Sequence, residues 1–134
     1  MLNLSDNAGR EAGPSLYVDR AGRGHLAWTR WGNPEGTEIA YRQWTAGAWG
    51  PTLVLDDVNV NPFPYNLLFA EDISGTVWLF ANLGSEVRYT RLGADGWDPL
   101  SGKTLVGGLK GLGTITLGND GLFHVALYGV NECS

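Results

Sequence analysis

Two clusters of aromatic and polar side chains recur in this chain. Tyr41, Arg42, Trp44 and Trp49 fall in one strand-and-turn unit, and Tyr89, Arg91 and Trp97 fall in a second. Aromatic faces stack on the apolar faces of sugars while Arg and Glu direct hydrogen bonds to hydroxyls, so this mixture suits a carbohydrate or another exposed ligand. A cleft formed once per unit would bind weakly and multivalently. The competing expectation is structural: Trp49 and Trp97 plug their turns into a core, where large aromatics dominate.

The other candidates point away from catalysis. A retaining glycosidase needs two carboxylates about 5–5.5 Å apart with one pKa raised by burial. Asp56, Asp57, Asp95 and Asp98 are available, but nothing in their spacing brings a pair onto one wall. Glu38 and Glu86 occupy equivalent positions, and a residue that recurs with the fold reads as structural. His25 and His124 each stand three residues after a glycine, where the intervening unit has Trp78, so they read as packed residues whose ring nitrogens bond nearby backbone. Two histidines without a Cys cluster give no zinc spacing. Asp56-Asp57-Val58-Asn59 offers hard oxygens for Ca²⁺ but not a known loop spacing, and reads as solvated linker. The glycine-rich stretch 107–113 lacks the Lys-Ser or Lys-Thr of a phosphate loop and reads as the loop before a strand. Cys133 is the only cysteine, so no internal disulfide forms, although it could link two chains in an oxidising compartment.

The elements that position these residues repeat. Glu38-Ile39-Ala40-Tyr41 returns as Glu86-Val87-Arg88-Tyr89, and Trp49-Gly50-Pro51 returns as Trp97-Asp98-Pro99, both 48 residues later. Gly22-Arg23-Gly24-His25-Leu26-Ala27 aligns with Gly75 to Phe80, and that stretch aligns with Gly121 to Ala126, at spacings of 53 and 46 residues. Within each unit the pattern is of short strands: 15–18, 25–31, 38–44 and 49–55; then 66–70, 76–83, 86–92 and 104–106; then 114–117 and 122–128. Turn residues separate them, and Asn61-Pro62-Phe63-Pro64 reads as a rigid connector. Leu26-Ala27-Trp28 and Val77-Trp78-Leu79-Phe80 are apolar without alternation, which fits sheets covered on both faces better than a sandwich wetted on one.

Composition bounds the rest. The 134 residues suit one domain, and 20 Gly with 6 Pro exclude a helical protein. Nine basic against 14 acidic side chains argue against nucleic acid, and only Lys103 and Lys110 are lysines, too few for an electrostatic membrane anchor. No run approaches the ~18 apolar residues of a membrane-spanning helix. The opening residues, Met1 to Asn7, lack the basic and apolar regions of a signal peptide.

Asp19-x-x-Gly22-x-x-His25-Leu26-Ala27-Trp28, followed by Glu38-Ile39-Ala40-Tyr41-Arg42, resembles the sialidase-like (BNR or Asp-box type) propeller repeats, over residues 14 to 128. Ala94-Asp95-Gly96-Trp97 is similar to a degraded Asp-box, and the Trp-rich turns are similar to those of small fucose-binding propeller lectins. The resemblance implies an all-β, β-propeller-like domain over 1–134, with repeats at about 14–60, 64–110 and 111–134, or about two and a half four-stranded antiparallel blades. Roughly 4–8 blades close a ring. The ring is therefore expected to be completed by a second chain, with Leu2-Asn3-Leu4 finishing the partner's last blade, or by a longer parent chain.

The expected function is a non-catalytic module that binds carbohydrate through inter-blade clefts, with Tyr41, Arg42, Trp44, Trp49, Tyr89, Arg91 and Trp97 as the binding residues. A structural or protein-interaction piece without a small ligand is the alternative, and a fragment of a sialidase-like glycoside hydrolase is another. Such a hydrolase would need three arginines and a Tyr nucleophile drawn from a whole ring, and its Arg-Ile-Pro opening motif is absent. The expectation includes no catalytic residue, metal or cofactor; a homodimer and a glycan are the expected partners, at the cell surface or outside the cell.

Overall fold

The computed structural model describes residues 10–31, 37–58, 66–82, 87–94, 96–98, 104–106 and 110–129. Among them every regular element is a strand and every pairing is antiparallel. The first sheet runs β1 (Arg10–Val18), β2 (Gly24–Trp31) and β3 (Thr37–Thr45), then the two-residue β4 (Ala48–Trp49) and β5 (Leu53–Val58), both paired with β3. The second repeats this plan with β6 (Asn66–Glu71), β7 (Val77–Asn82), β8 (Val87–Gly93), β9 (Gly96–Trp97) and β10 (Thr104–Val106). The third is the hairpin β11 (Lys110–Leu117) and β12 (Phe123–Gly129). None of the three sheets closes on itself.

The turns explain why the chain reverses where it does. Gly22, Gly75 and Gly121 end the β1–β2, β6–β7 and β11–β12 turns at φ +85, +88 and +79, a region open to glycine at no steric cost. Each donates its N–H to the carbonyl three residues back, on Asp19, Asp72 and Gly118, at 3.0 Å. A turn carboxylate then satisfies further donors. Asp72 Oδ1 accepts from the Ser74 and Thr76 amides at 2.9 and 3.0 Å, and Oδ2 accepts from Trp78 Nε1 at 2.8 Å. The β3–β4 turn is a two-residue hairpin with Ala46 at φ +53 and Gly47 at +85, the geometry for which Asn-Gly is preferred.

The sheets stack in series. Ala27 and Ile39 of the first sheet meet Leu67, Leu79 and Ala81 of the second, with Leu55, Phe69 and Trp97 packed around them. The other face of the second sheet, with Ala70, Phe80, Val87 and Tyr89, meets Ile115, Phe123 and Val125 of the third. A middle sheet covered on both faces accounts for the near-continuous burial along β7, where a wetted face would alternate. The first strands touch in order, β1 against β6 and β6 against β11.

Four expectations are corrected here. β1 begins at Arg10 and not at Ser15, with a bulge between Ala12 and Ser15 where Gly13 takes φ +62. The expected strand 49–55 is broken: Gly50 gives its N–H to the Gln43 carbonyl at 2.7 Å, and Pro51 has none to give, so pairing stops at Trp49 and resumes at Leu53. Asp56 and Asp57 are not linker but continue β5, opposite Ile39 and Glu38. Lys110 to Gly113 are not loop but open β11. Glu86, Asp95, Asn59, Lys103, Cys133, the connector 61–64 and the segment 2–4 lie outside the described residues.

Asp72→Ala should destabilise the fold by about 2 kcal/mol, because the Trp78 indole and two turn amides lose a charged acceptor. Ala46→Asn should stabilise it by about 0.5–1 kcal/mol by relieving a left-handed alanine. Urea unfolding of both variants reads the two opposite signs.

Candidate functional site

Where the first sheet faces the second, a cleft of about 460 Å³ opens beside the β3–β5 and β8–β9 turns. That volume lies within the range of small-molecule pockets. Tyr41, Gln43, Arg23 and Leu53 line it from the first sheet; Leu92 and Trp97 line it from the second, with glycines at the rim. Tyr41 is buried beneath the floor, 2% exposed. Its ring meets the Trp97 ring edge-on, with centroids 5.2 Å apart, and Trp97 lies 6.3 Å from Phe69.

A buried polar chain fixes the Tyr41 hydroxyl. Asp19 Oδ2 lies 2.8 Å from His25 Nε2, and His25 Nδ1 lies 2.7 Å from the Tyr41 oxygen. Burial alone would raise the Asp19 carboxyl. Hydrogen bonds from His25 and from the Arg23 amide and guanidinium, with the Arg23 charge, hold it down to about 2. The ionised carboxylate only accepts, so His25 carries its proton on Nε2. Burial keeps the ring neutral by lowering its pKa against the pull of Asp19. Nδ1 is then a lone pair, and Tyr41 donates to it. Gln43 extends the chain: its Oε1 lies 3.2 Å from the phenol oxygen, and its Nε2 donates to the Thr45 hydroxyl at 3.0 Å. Burial pushes the Tyr41 phenol up to about 12, against the pull of Trp97, so it stays protonated and is no nucleophile.

One donor faces the cleft with capacity to spare. Arg23 binds Asp19 through its backbone amide at 2.9 Å and through Nε at 2.8 Å, and among the described residues its Nη groups have no partner. Trp97 Nε1 is shielded from solvent and directed at the Tyr41 hydroxyl, whose pKa it pulls down.

The seven residues singled out from sequence do not form one site. Tyr41 and Trp97 come together from different sheets. Trp44 and Trp49 line a separate groove of about 240 Å³ on the opposite face of the first sheet, with Leu16, Val18 and Gly24. Arg42 gives Nε to the Gly50 carbonyl at 2.8 Å, while Thr90, 48 residues after it, gives its hydroxyl to the Asp98 carbonyl at 2.5 Å; both clasp a turn. Tyr89 packs between Trp78 and Phe80 toward the third sheet. Exposed Arg91 pairs with Asp98 at 3.1 Å. The histidines bond side chains and not backbone, since His124 lies 3.1 Å from Asp120 as His25 lies 2.8 Å from Asp19. Sequence reasoning missed Arg23, Gln43 and Asp19 as neighbours of the cleft; the Asp-x-x-Gly-x-x-His spacing carried the signal for Asp19. Among the described residues no group of three or more His, Cys, Asp and Glu gathers as a metal ion would require.

Compared with known proteins, the chain matches no family model, no curated protein and no solved structure.

The buried chain sets the response to acid. Asp19, with its carboxyl held near 2, contributes about 2 kcal/mol that is present above pH ~4 and lost as the pH falls toward 2. His25 acts in the window just below its ordinary 6.5, because the unfolded chain takes the proton that the buried ring refuses. Thermal unfolding should therefore show stability falling in both windows on acidification, and Asp19→Asn should flatten the lower one.

Proposed function

We propose that this chain is a non-catalytic propeller-type module that binds a sugar, or a ligand of similar amphipathic chemistry, between its first and second sheets. The observation that carries the reading is the cleft between the two sheets: half-buried Trp97 braced by the buried Tyr41 ring, flanked by the Arg23 and Gln43 side chains, at about 460 Å³.

The propeller arrangement is supported by the serial stacking of antiparallel meanders with their first strands in contact. It is supported also by the likeness of Asp19-x-x-Gly22-x-x-His25 to sialidase-like repeats. The non-catalytic role rests on recurrence. The ring-to-carboxylate contact of His25 with Asp19 returns as Trp78 with Asp72 and His124 with Asp120, so it belongs to the scaffold. Tyr41, the buried tyrosine beside the cleft, is held protonated.

A glycan array followed by calorimetric titration of the best ligand tests the reading. Trp97→Ala should weaken binding at least about tenfold, and Gln43→Ala by about three- to tenfold, while exposed Arg91→Ala leaves it unchanged. Silence across the array, or a folded Trp97→Ala protein that binds as tightly as the wild type, would overturn it.

A further inference from the structure

Each sheet has a front, facing the sheet before it, and a back, facing the sheet after it. On the front of the second sheet, Phe69, Leu79 and Trp97 pack against Ala27 and Ile39 on the back of the first. On the front of the third, Ile115 and Val125 pack against Phe80 and Val87 on the back of the second. At the same places on the front of the first sheet stand Leu16, Leu26 and Trp49, by the 48-, 53- and 46-residue spacings of the sequence. That front is bare. Leu16 is 65% exposed and Val18 64%, with Trp44 and Val54 exposed beside them. Side chains of the kind buried at the two built joints are left in water at a third.

The complement is on the same molecule. The back of the third sheet presents Thr116, His124 and Ala126 to solvent, at the places where Tyr17, His25 and Ala27 face the second sheet. We infer that the front of the first sheet is covered by the back of the third sheet of a second copy of this chain, a head-to-tail joint of the same build as the two within the chain. The groove beside Trp44 and Trp49 is half a cleft on this reading. Trp49 takes the place of Trp97, and the partner's hairpin supplies Leu122 at the place Arg23 holds in the built cleft.

The polar pairing agrees. At the first built joint Glu71 accepts from the Tyr17 hydroxyl at 3.0 Å and lies 3.1 Å from Arg20 Nε. On the open front Val18 replaces Glu71; on the open back Thr116 and Asn119 replace Tyr17 and Arg20. Acid and base are absent together, so the joint buries no unpaired charge. A contact between two different faces either closes into a ring or propagates.

Sedimentation velocity from about 1 to about 100 µM reads the joint as a rise of twofold or more in mass for the wild type. Val18→Glu, at an exposed site that leaves circular dichroism and Tm unchanged, should hold the chain at single mass. Adding Asn119→Arg to it, which rebuilds the Glu71–Arg20 pair across the joint, should restore association. Mixing the two single variants should give a complex containing both. A wild-type chain of single mass throughout, a Val18→Glu chain that associates like wild type, or a double variant that stays single would each overturn the inference.

Discussion

The structure depends on one contact made three times: a ring nitrogen at the head of a sheet's second strand reaching back to a carboxylate in the preceding turn. In the first sheet it is His25 to Asp19, in the second Trp78 to Asp72, in the third His124 to Asp120. The carboxylate sits where the turn's amide groups converge, so one charge organises the backbone reversal and anchors a large aromatic against the sheet. The third copy shows how tightly the space is allotted. Its turn opens with Gly118, and a Cβ there would fall 2.5 Å from both Asp120 Oδ1 and His124 Nε2. The acid has moved two residues along the turn, and the place where it stands in the other two sheets is filled by the contact itself.

This explains which parts of the architecture were legible in sequence. Turn glycines and turn acids obey local rules, so the strand order and the all-β class followed from spacing. The break between β4 and β5 was not legible, because it depends on whether the Gly50 amide is claimed by a carbonyl across the hairpin. The grouping of aromatics was misleading for a simple reason. Tyr41 and Trp44 are three apart on a strand of period two, so they point to opposite faces and serve different neighbours. Tyr41 finds Trp97, whose nearness in space requires two sheets to be stacked, and local spacing does not say which sheets meet.

Packing energy is concentrated in the middle. The second sheet contributes to both apolar clusters, whereas the first and third each contribute to one. The cleft lies at the edge of the first cluster, with Tyr41 and Trp97 in contact with Phe69. Its walls are therefore held by the same burial that joins the sheets, and the buried chain from Asp19 through Tyr41 adds a rigid polar floor. A cleft of this kind owes its shape to the packing of the sheets alone.

The course of β5 has a consequence for the molecule in bulk solution. Among the described residues it pairs only with β3, and its sequence carries two consecutive acids, Asp56 and Asp57. Strands that carry such gatekeepers are poor templates for incoming extended peptide. A strand so marked is ill suited to adding further extended chain in crowded solution.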